Sequence, residues 1–336
     1  VTTPETARRS WDTIQPVPRG QFVLVALAVV ALVPAVASTV MRLVPPADDP
    51  TVLVASFIAY GLIGYAFGLG CLGLTLLRAR RRAVWALLCA VVVALTTLHA
   101  SWLAPFFVPD RRPVSSPPFT VMSLNVQAGR AASQQVWDQA QQADIVILIE
   151  VTPASLRNLE RLGWDRRFPY VVGDSQQGAH GTVIFSRLPM GTGSLTNTTF
   201  DQRLTTVAVP GIGTVTLMAV HPCNPYCGGN RWAREHAVLT EVAAAHREGP
   251  LIMAGDFNAV DDHGPMQALR RLGLESATEV AGAGWLPTWP ADRGIPPLIP
   301  IDHVLINAQL TATAVRTFAV AHTDHLGVIT TLAGAR

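Results

Sequence analysis

The chain of 336 residues carries 25 basic and 23 acidic side chains, a formal charge of +2, and is 49% hydrophobic. That length allows two domains, and the charge is divided between its halves: residues 1–109 hold 8 Arg against 4 acids, residues 110–336 hold 17 Arg against 19 acids. The second half therefore lacks the basic surplus with which nucleic-acid binders neutralise phosphates, which makes nucleic acid the less expected partner.

In chain order, a short N-terminal segment (1–20) with Arg8, Arg9 and Arg19 precedes three runs without a formal charge, 21–41, 51–77 and 83–109. Each is long enough to cross a hydrocarbon layer of about 30 Å. A cleaved signal has an apolar region of only about 7–15 residues, so the pattern predicts a three-helix transmembrane anchor over 21–109. Arg78, Arg80, Arg81 and Arg82 lie between the second and third runs, whereas Arg42 faces Asp48 and Asp49 between the first and second. Short cytoplasmic loops collect positive charge, so the N-terminus is expected in the cytoplasm and everything after Pro109 outside it, in a multi-pass protein of the cell membrane. No acid lies within a run, and His99 reads as interfacial, so transport is not suggested. Cys71 and Cys89 fall in apolar runs and read as inert buried residues. The bilayer is the expected partner; no protein partner is indicated.

Residues 110–118, rich in Pro and Ser, read as a linker to an outer domain over 119–336. Apolar runs and alternation predict strands at 119–126, 144–150, 181–186, 205–209, 215–221, 251–255, 301–306 and 328–332, with helices at 133–143, 231–247 and 264–272. Many strands with interspersed helices imply a layered α/β sandwich whose site lies along one rim of the sheets. Polar residues end several of these strands. In Leu251-Ile252-Met253-Ala254-Gly255-Asp256-Phe257-Asn258, alternation puts Asp256 and Asn258 on one side and Phe257 on the other. That pair reads either as turn chemistry or as a grip on a phosphate and its attacking water. Glu150 is either a solvated strand end or a ligand for a hard cation, and Asn125 either a turn residue or an amide placing metal or phosphate. His221 stands at a strand mouth, and Asp302-His303 and Asp324-His325 pair imidazoles with carboxylates, the arrangement that makes a positioned proton carrier. Cys223 and Cys227, placed outside, favour a local disulfide over metal ligation with His221.

Six segments in order resemble the successive motifs of the endonuclease/exonuclease/phosphatase superfamily: Ser123-Leu124-Asn125-Val126, Ile147-Leu148-Ile149-Glu150, Gly181-Thr182-Val183-Ile184-Phe185-Ser186-Arg187, Ala254-Gly255-Asp256-Phe257-Asn258, Ile301-Asp302-His303-Val304-Leu305 and Thr323-Asp324-His325. The resemblance begins near Phe119 and implies a four-layered, DNase I-like α/β sandwich behind the three transmembrane helices. It further implies a hydrolase of phosphate esters dependent on Mg²⁺, with Mn²⁺ as the other cation. Glu150 with Asn125 would bind the metal and Asp324 would complete its shell. Asp256 would deprotonate the water and Asn258 would hold a phosphate oxygen. His325, fixed by Asp302, would stabilise charge on the phosphoryl group, and His221 would protonate the leaving oxygen. Trp289 resembles a structural element of the family. Layout and length are similar to the membrane-bound members associated with teicoplanin (glycopeptide) resistance, which implies a phosphorylated lipid or lipid-linked cell-wall intermediate as substrate. An extracytoplasmic nuclease and a non-catalytic phospholipid sensor are the alternatives.

Overall fold

The computed structural model describes residues 19–47, 49–80, 82–110 and 112–336. Arg8, Arg9, Asp48, Arg81 and Arg111 lie outside the described residues, so the expectations resting on them stay at the level of sequence.

Among the described residues, three helices are long and apolar enough to cross a membrane: α1 (Arg19–Leu43), α3 (Gly61–Arg78), preceded by a 3-10 turn at Ile58–Tyr60, and α4 (Arg82–Leu103). Side chains such as Val30, Ile63 and Leu87 point away from the rest of the protein, leaving a broad apolar surface that water would not tolerate uncovered. α1 and α3 approach closely at Gly64, where a Cβ would come within 2.7 Å of the Ala31 carbonyl oxygen.

The charge-free run at 51–77 is not one helix. Its first residues belong to a separate short helix, α2 (Asp49–Ala55), which turns toward the outer domain. Val52 joins a core cluster with Trp232 and Phe257, and its carbonyl oxygen lies 3.0 Å from His263 Nε2. Hydropathy cannot distinguish an apolar segment facing lipid from one buried in protein, which is why sequence merged the two.

The outer domain contains two six-stranded sheets. Its strands are β1 (Phe119–Asn125), β2 (Ile145–Ile149), β3 (Tyr170–Asp174), β4 (Thr182–Ser186), β5 (Ser194–Leu195), β6 (Arg203–Val209), β7 (Gly213–Val220), β8 (Leu251–Asp256), β9 (Glu275–Ser276), β10 (Asp302–Ile306), β11 (Leu310–Phe318) and β12 (Gly327–Gly334). One sheet runs β11-β12-β1-β2-β4-β3, the other β5-β6-β7-β8-β10-β9. Ile145, Ile147 and Ile149 of β2 meet Leu217, Ile252 and Val304 of the other sheet in the central core. On the far side of the first sheet lie α5 (Ser133–Ala140), α6 (Pro153–Arg161) and α7 (Trp164–Arg167), sealed by Trp164 and Phe168. On the far side of the second lie α8 (Arg231–Ala245) and α9 (Gly264–Arg271), and a short helix, α10 (Ala277–Ala281), packs beside β11. Helix, sheet, sheet, helix is the expected four-layer α/β sandwich.

β11 was not legible because a bulge between Ala312 and Ala314 breaks its alternation, and β3, α6, α7 and α10 are too short or too polar to carry a periodic signal. The segment before β1 lies against the domain: Asp110 N–H donates to the Val280 carbonyl (2.9 Å), Ser115 N–H to that of Gly334 (2.9 Å), and Arg112 pairs with Glu275. The helix ends dock as well. Arg42 pairs with Asp262 at 2.8 Å, the Tyr60 hydroxyl donates to the Leu298 carbonyl at 2.7 Å, and Gly284 N–H donates to the Phe106 carbonyl at 2.7 Å.

Candidate active site

Strand register assembles the site. β1 and β2 run parallel with Asn125 opposite Ile149, so Asn125 and the following residue, Glu150, emerge side by side. β7 and β8 are parallel with Val220 opposite Gly255, which places His221 beside Asp256. β8 and β10 are antiparallel with Asp256 directly opposite Asp302. Five polar residues, Asn125, Glu150, His221, Asp256 and Asp302, thus reach one rim between the two sheets. Gly255 sits at φ 150°, where a Cβ would meet the Val220 carbonyl oxygen at 2.0 Å, so only glycine lets β7 and β8 come this close.

Asn125 ties the two sheets together: its Nδ2 donates to Glu150 Oε1 and to Asp256 Oδ2, both at 3.1 Å. Its Oδ1 accepts the Gln127 N–H at 2.9 Å, which fixes the amide's orientation. Glu150 takes a left-handed backbone (φ 64°) and its Oε2 accepts the Ala128 N–H at 2.7 Å. A charged residue holding that conformation at a strand end is strain of the kind retained at functional sites. Asn258 is also left-handed (φ 48°); its backbone N–H donates to Asp256 Oδ1 at 2.8 Å and its Nδ2 to the Pro222 carbonyl at 3.1 Å. Phe257 is turned into the core, as alternation predicted.

His325 Nδ1 donates to Asp302 Oδ2 at 2.9 Å, and its Nε2 lies 3.7 Å from Asp256 Oδ2 and 3.9 Å from Asp324 Oδ1. Asp324 Oδ2 accepts the Trp289 indole N–H at 3.2 Å, so Trp289 positions a carboxylate. His303, the other half of the Asp302-His303 pair, points to the opposite face, with Nε2 2.9 Å from the Ala259 carbonyl oxygen. Cys223 and Cys227 form a disulfide, which removes both thiols from metal ligation.

The electrostatics follow from burial and crowding. Burial opposes a charged His325, but the surrounding Asp302, Asp256 and Asp324 outweigh it and raise the imidazole to about 10. Burial pushes the Asp256 carboxyl up to about 7 and Asp302 adds to that, against the pull of His325. Burial, with His325 and His180 nearby, lowers His221 to about 3, so its ring, stacked 4.6 Å from Phe200, is neutral at physiological pH. A neutral imidazole offers one N–H donor; service as a general acid needs negative charge brought in by a substrate.

The donor set fits a divalent cation. Asp256, Asp302 and His325 place ligating atoms within 4.8 Å of one another, and Asp302 Oδ1 is buried without a hydrogen-bond partner. Carboxylates packed beside a single imidazole cation leave negative charge that a hard cation would balance. A cationic His325 has no free lone pair, so the carboxylates of Asp256 and Asp302 are what this group would offer an ion, beside the Glu150, Asn125 and Asp324 set expected from sequence, which adjoins it through the Asn125–Asp256 and Asp324–His325 contacts.

Glu150, His221, Asp256, Asn258, Asp324 and His325 line one cavity of about 470 Å³. Sequence reasoning missed several supports. Gln202 Oε1 accepts the His221 N–H at 3.1 Å, Thr288 Oγ1 accepts the backbone N–H groups of Ile301 and Asp302, and Gln127 Oε1 accepts that of Asp324 at 3.1 Å. It also missed that Leu53, Ser56 and Phe57, from the segment between the first two long helices, form part of the cavity wall. None of these carries a local signal, because each acts only through tertiary contact.

Solved structures share the outer domain's fold. A D. rerio TDP2 complexed with single strand DNA product matches with TM-score 0.52 and 16% identity, over 64% of this chain and 98% of that one. An endonuclease/exonuclease/phosphatase from Beutenbergia cavernae matches with TM-score 0.52 and 20% identity, over 67% of this chain and 72% of that one. The 3'-5' exonuclease NExo from Neisseria meningitidis matches with TM-score 0.51 and 21% identity, over 63% and 98%. No curated protein matches.

These likenesses correct one expectation. The acidic net charge makes nucleic acid the less expected partner, yet proteins of this fold include one complexed with a DNA product and a 3'-5' exonuclease. In a site whose phosphate contacts come from a metal and a few rim residues, overall charge does not exclude that substrate. The Endonuclease/Exonuclease/phosphatase family model matches residues 122–325, and with the ligating triad at the rim, the chain belongs to that family and is a metal-dependent phosphoester hydrolase.

Proposed function

We propose that this hydrolase is anchored by α1, α3 and α4 with its catalytic domain on the outer face of the membrane, and that it cleaves a phosphodiester or pyrophosphate of a lipid or lipid-linked cell-wall intermediate. The observation that carries this reading is the cavity wall made by Leu53, Ser56 and Phe57. These residues follow the first apolar helix and precede the second, so Leu53 and Phe57 bring apolar surface from the helical segment into the catalytic cavity; in the proposed topology that wall would lie toward the membrane.

A divalent cation, with Mg²⁺ the expected ion, would supply charge neutralisation to the phosphate when bound. Glu150, Asn125 and Asp324 would hold it, with Asp256 and Asp302 adjoining. Asp256, with a carboxyl poised near neutrality, would take the proton of the attacking water, and Asn125 and the Asn258 N–H would fix its direction. His325, kept cationic by Asp302, would face the charge developing on the phosphoryl group. The Asn258 amide would hold a non-bridging oxygen, and His221 would donate a hydrogen bond on the leaving-group side.

A second reading, an extracytoplasmic nuclease, is favoured by fold relatives of which one is complexed with a single strand DNA product and one is a 3'-5' exonuclease. It uses the same chemistry with a different substrate. The test is a product screen on detergent-purified full-length protein with Mg²⁺, using an isoprenyl pyrophosphate, phosphatidylglycerol and plasmid DNA. Phosphate release or headgroup cleavage from a lipid supports the first reading; plasmid nicking with inert lipids replaces it by the second.

A further inference from the structure

A second cavity, of about 400 Å³, lies outside the catalytic one, between the ends of α3 and α4 and the outer domain. Ala59, Leu62 and Ile63 form one wall, Ala100 and Leu103 another, and Trp285 of the outer domain closes it. Its remaining members, Tyr60 among them, add no free hydroxyl, because the Tyr60 OH is engaged with the Leu298 carbonyl at 2.7 Å. The lining is therefore almost wholly hydrocarbon and ring.

Three features argue for what occupies it. Its helical walls come from the N-terminal end of α3 and the C-terminal end of α4, which the charge pattern places at the same, outer end of the bundle. Ile63 and Phe107 on its rim are exposed apolar side chains, continuous with the apolar outer surface of the helices. A single turn of chain separates it from the catalytic cavity: Phe57 lines the catalytic side, Tyr60 lines this one, and their rings lie 6.0 Å apart. A molecule with its phosphate at Asp256 and a hydrocarbon chain leaving past Phe57 meets this groove next.

We infer that the groove between α3, α4 and Trp285 is the subsite for the hydrocarbon chain of a phosphate-bearing membrane lipid whose head group occupies the catalytic cavity. The inference rests on the lipid reading of the active site and extends it, since it makes chain length a determinant of binding. A chain in the groove leaves its apolar surroundings only in part, so the enzyme draws a lipid head group to the site without extracting the lipid from the bilayer. For a probe presented from water, each methylene seated against these walls adds to affinity.

The test is equilibrium binding of two radiolabelled probes, farnesyl pyrophosphate and dimethylallyl pyrophosphate, to the detergent-purified full chain carrying Asp256→Ala so that turnover does not intrude. The two share a head group and differ by ten carbons of chain. The expected result is at least tenfold tighter binding of the longer probe, with that preference lost in Ala100→Trp, which fills the groove, and reduced in Ile63→Ser, which removes apolar wall from an exposed position and leaves the fold intact. Equal binding of the two probes, or a preference unchanged in Ile63→Ser, overturns the inference. A change of oligomeric state in Ile63→Ser without a change in chain preference also overturns it and assigns the groove to a second copy. Failure of the lipid-hydrolase reading has a different signature: protein with Asp256 intact that releases no phosphate from farnesyl pyrophosphate while binding retains its chain preference.

Discussion

Asp256 is buried to 2% exposure among like charges, and its carboxyl is raised to about 7. Holding an acid in such a place costs stability, which a protein tolerates where chemistry needs it. Asp256→Ala is therefore expected to lower phosphodiester turnover by about a thousandfold or more while leaving the melting temperature of the metal-free protein unchanged or higher; a large drop in melting temperature would mark the residue as structural. Asp302→Asn removes the carboxylate that does most to hold His325 cationic against burial. The variant's alkaline limb of activity should move to lower pH, read from a pH–rate profile, and an unmoved limb would count against the dyad. The candidate residues were legible because a polar side chain ending an apolar strand has no packing reason to be there. Their positioning partners Gln202, Thr288 and Gln127 were not, since a lone Gln or Thr in a loop gives no such contrast.

At the scale of elements, α2 is fixed to the outer domain by a buried histidine. His263 lies between Val52 and Trp232, and His236 packs on the same tryptophan. Burial lowers His263 to about 3 and His236 to about 4. The unfolded chain takes up protons first as pH falls below about 6.5, so stability is full above that value and is lost progressively toward pH 4 and 3. Each histidine contributes on the order of 1 kcal/mol per pH unit in that window. Urea unfolding at pH 7 and pH 4.5 should show this loss, and His263→Gln should make it shallower; an equal pH dependence in the variant would contradict the assignment. The disulfide closes a loop of only a few residues, and opening it with Cys223→Ser/Cys227→Ser should cost about 2 kcal/mol, seen as a lower denaturant midpoint. The two sheets were largely legible from apolar runs. α2 was not, because an apolar segment reads the same whether lipid or protein covers it.

Across the whole molecule, the three apolar helices and the catalytic domain are joined by more than the chain connecting them. Arg42–Asp262, Tyr60–Leu298 and Phe106–Gly284 hold the outer domain onto the helix ends, and residues before β1 lie along its edge. The proposed topology puts these contacts at the outer membrane surface. A reporter active only outside the cytoplasm, fused after Arg336, should be active, and a cytoplasm-only reporter at the same place should be silent. The acidic balance of the outer domain, by contrast, was a poor guide to substrate, because family chemistry at a phosphate is local to the rim. The most direct test of the account is hydrolysis of bis-p-nitrophenyl phosphate by the detergent-purified full chain, measured with Mg²⁺, after chelation, and for Asp256→Ala. The account predicts turnover that chelation abolishes, that Mg²⁺ restores, and that the variant lacks; turnover indifferent to chelation, or retained in Asp256→Ala, would contradict it.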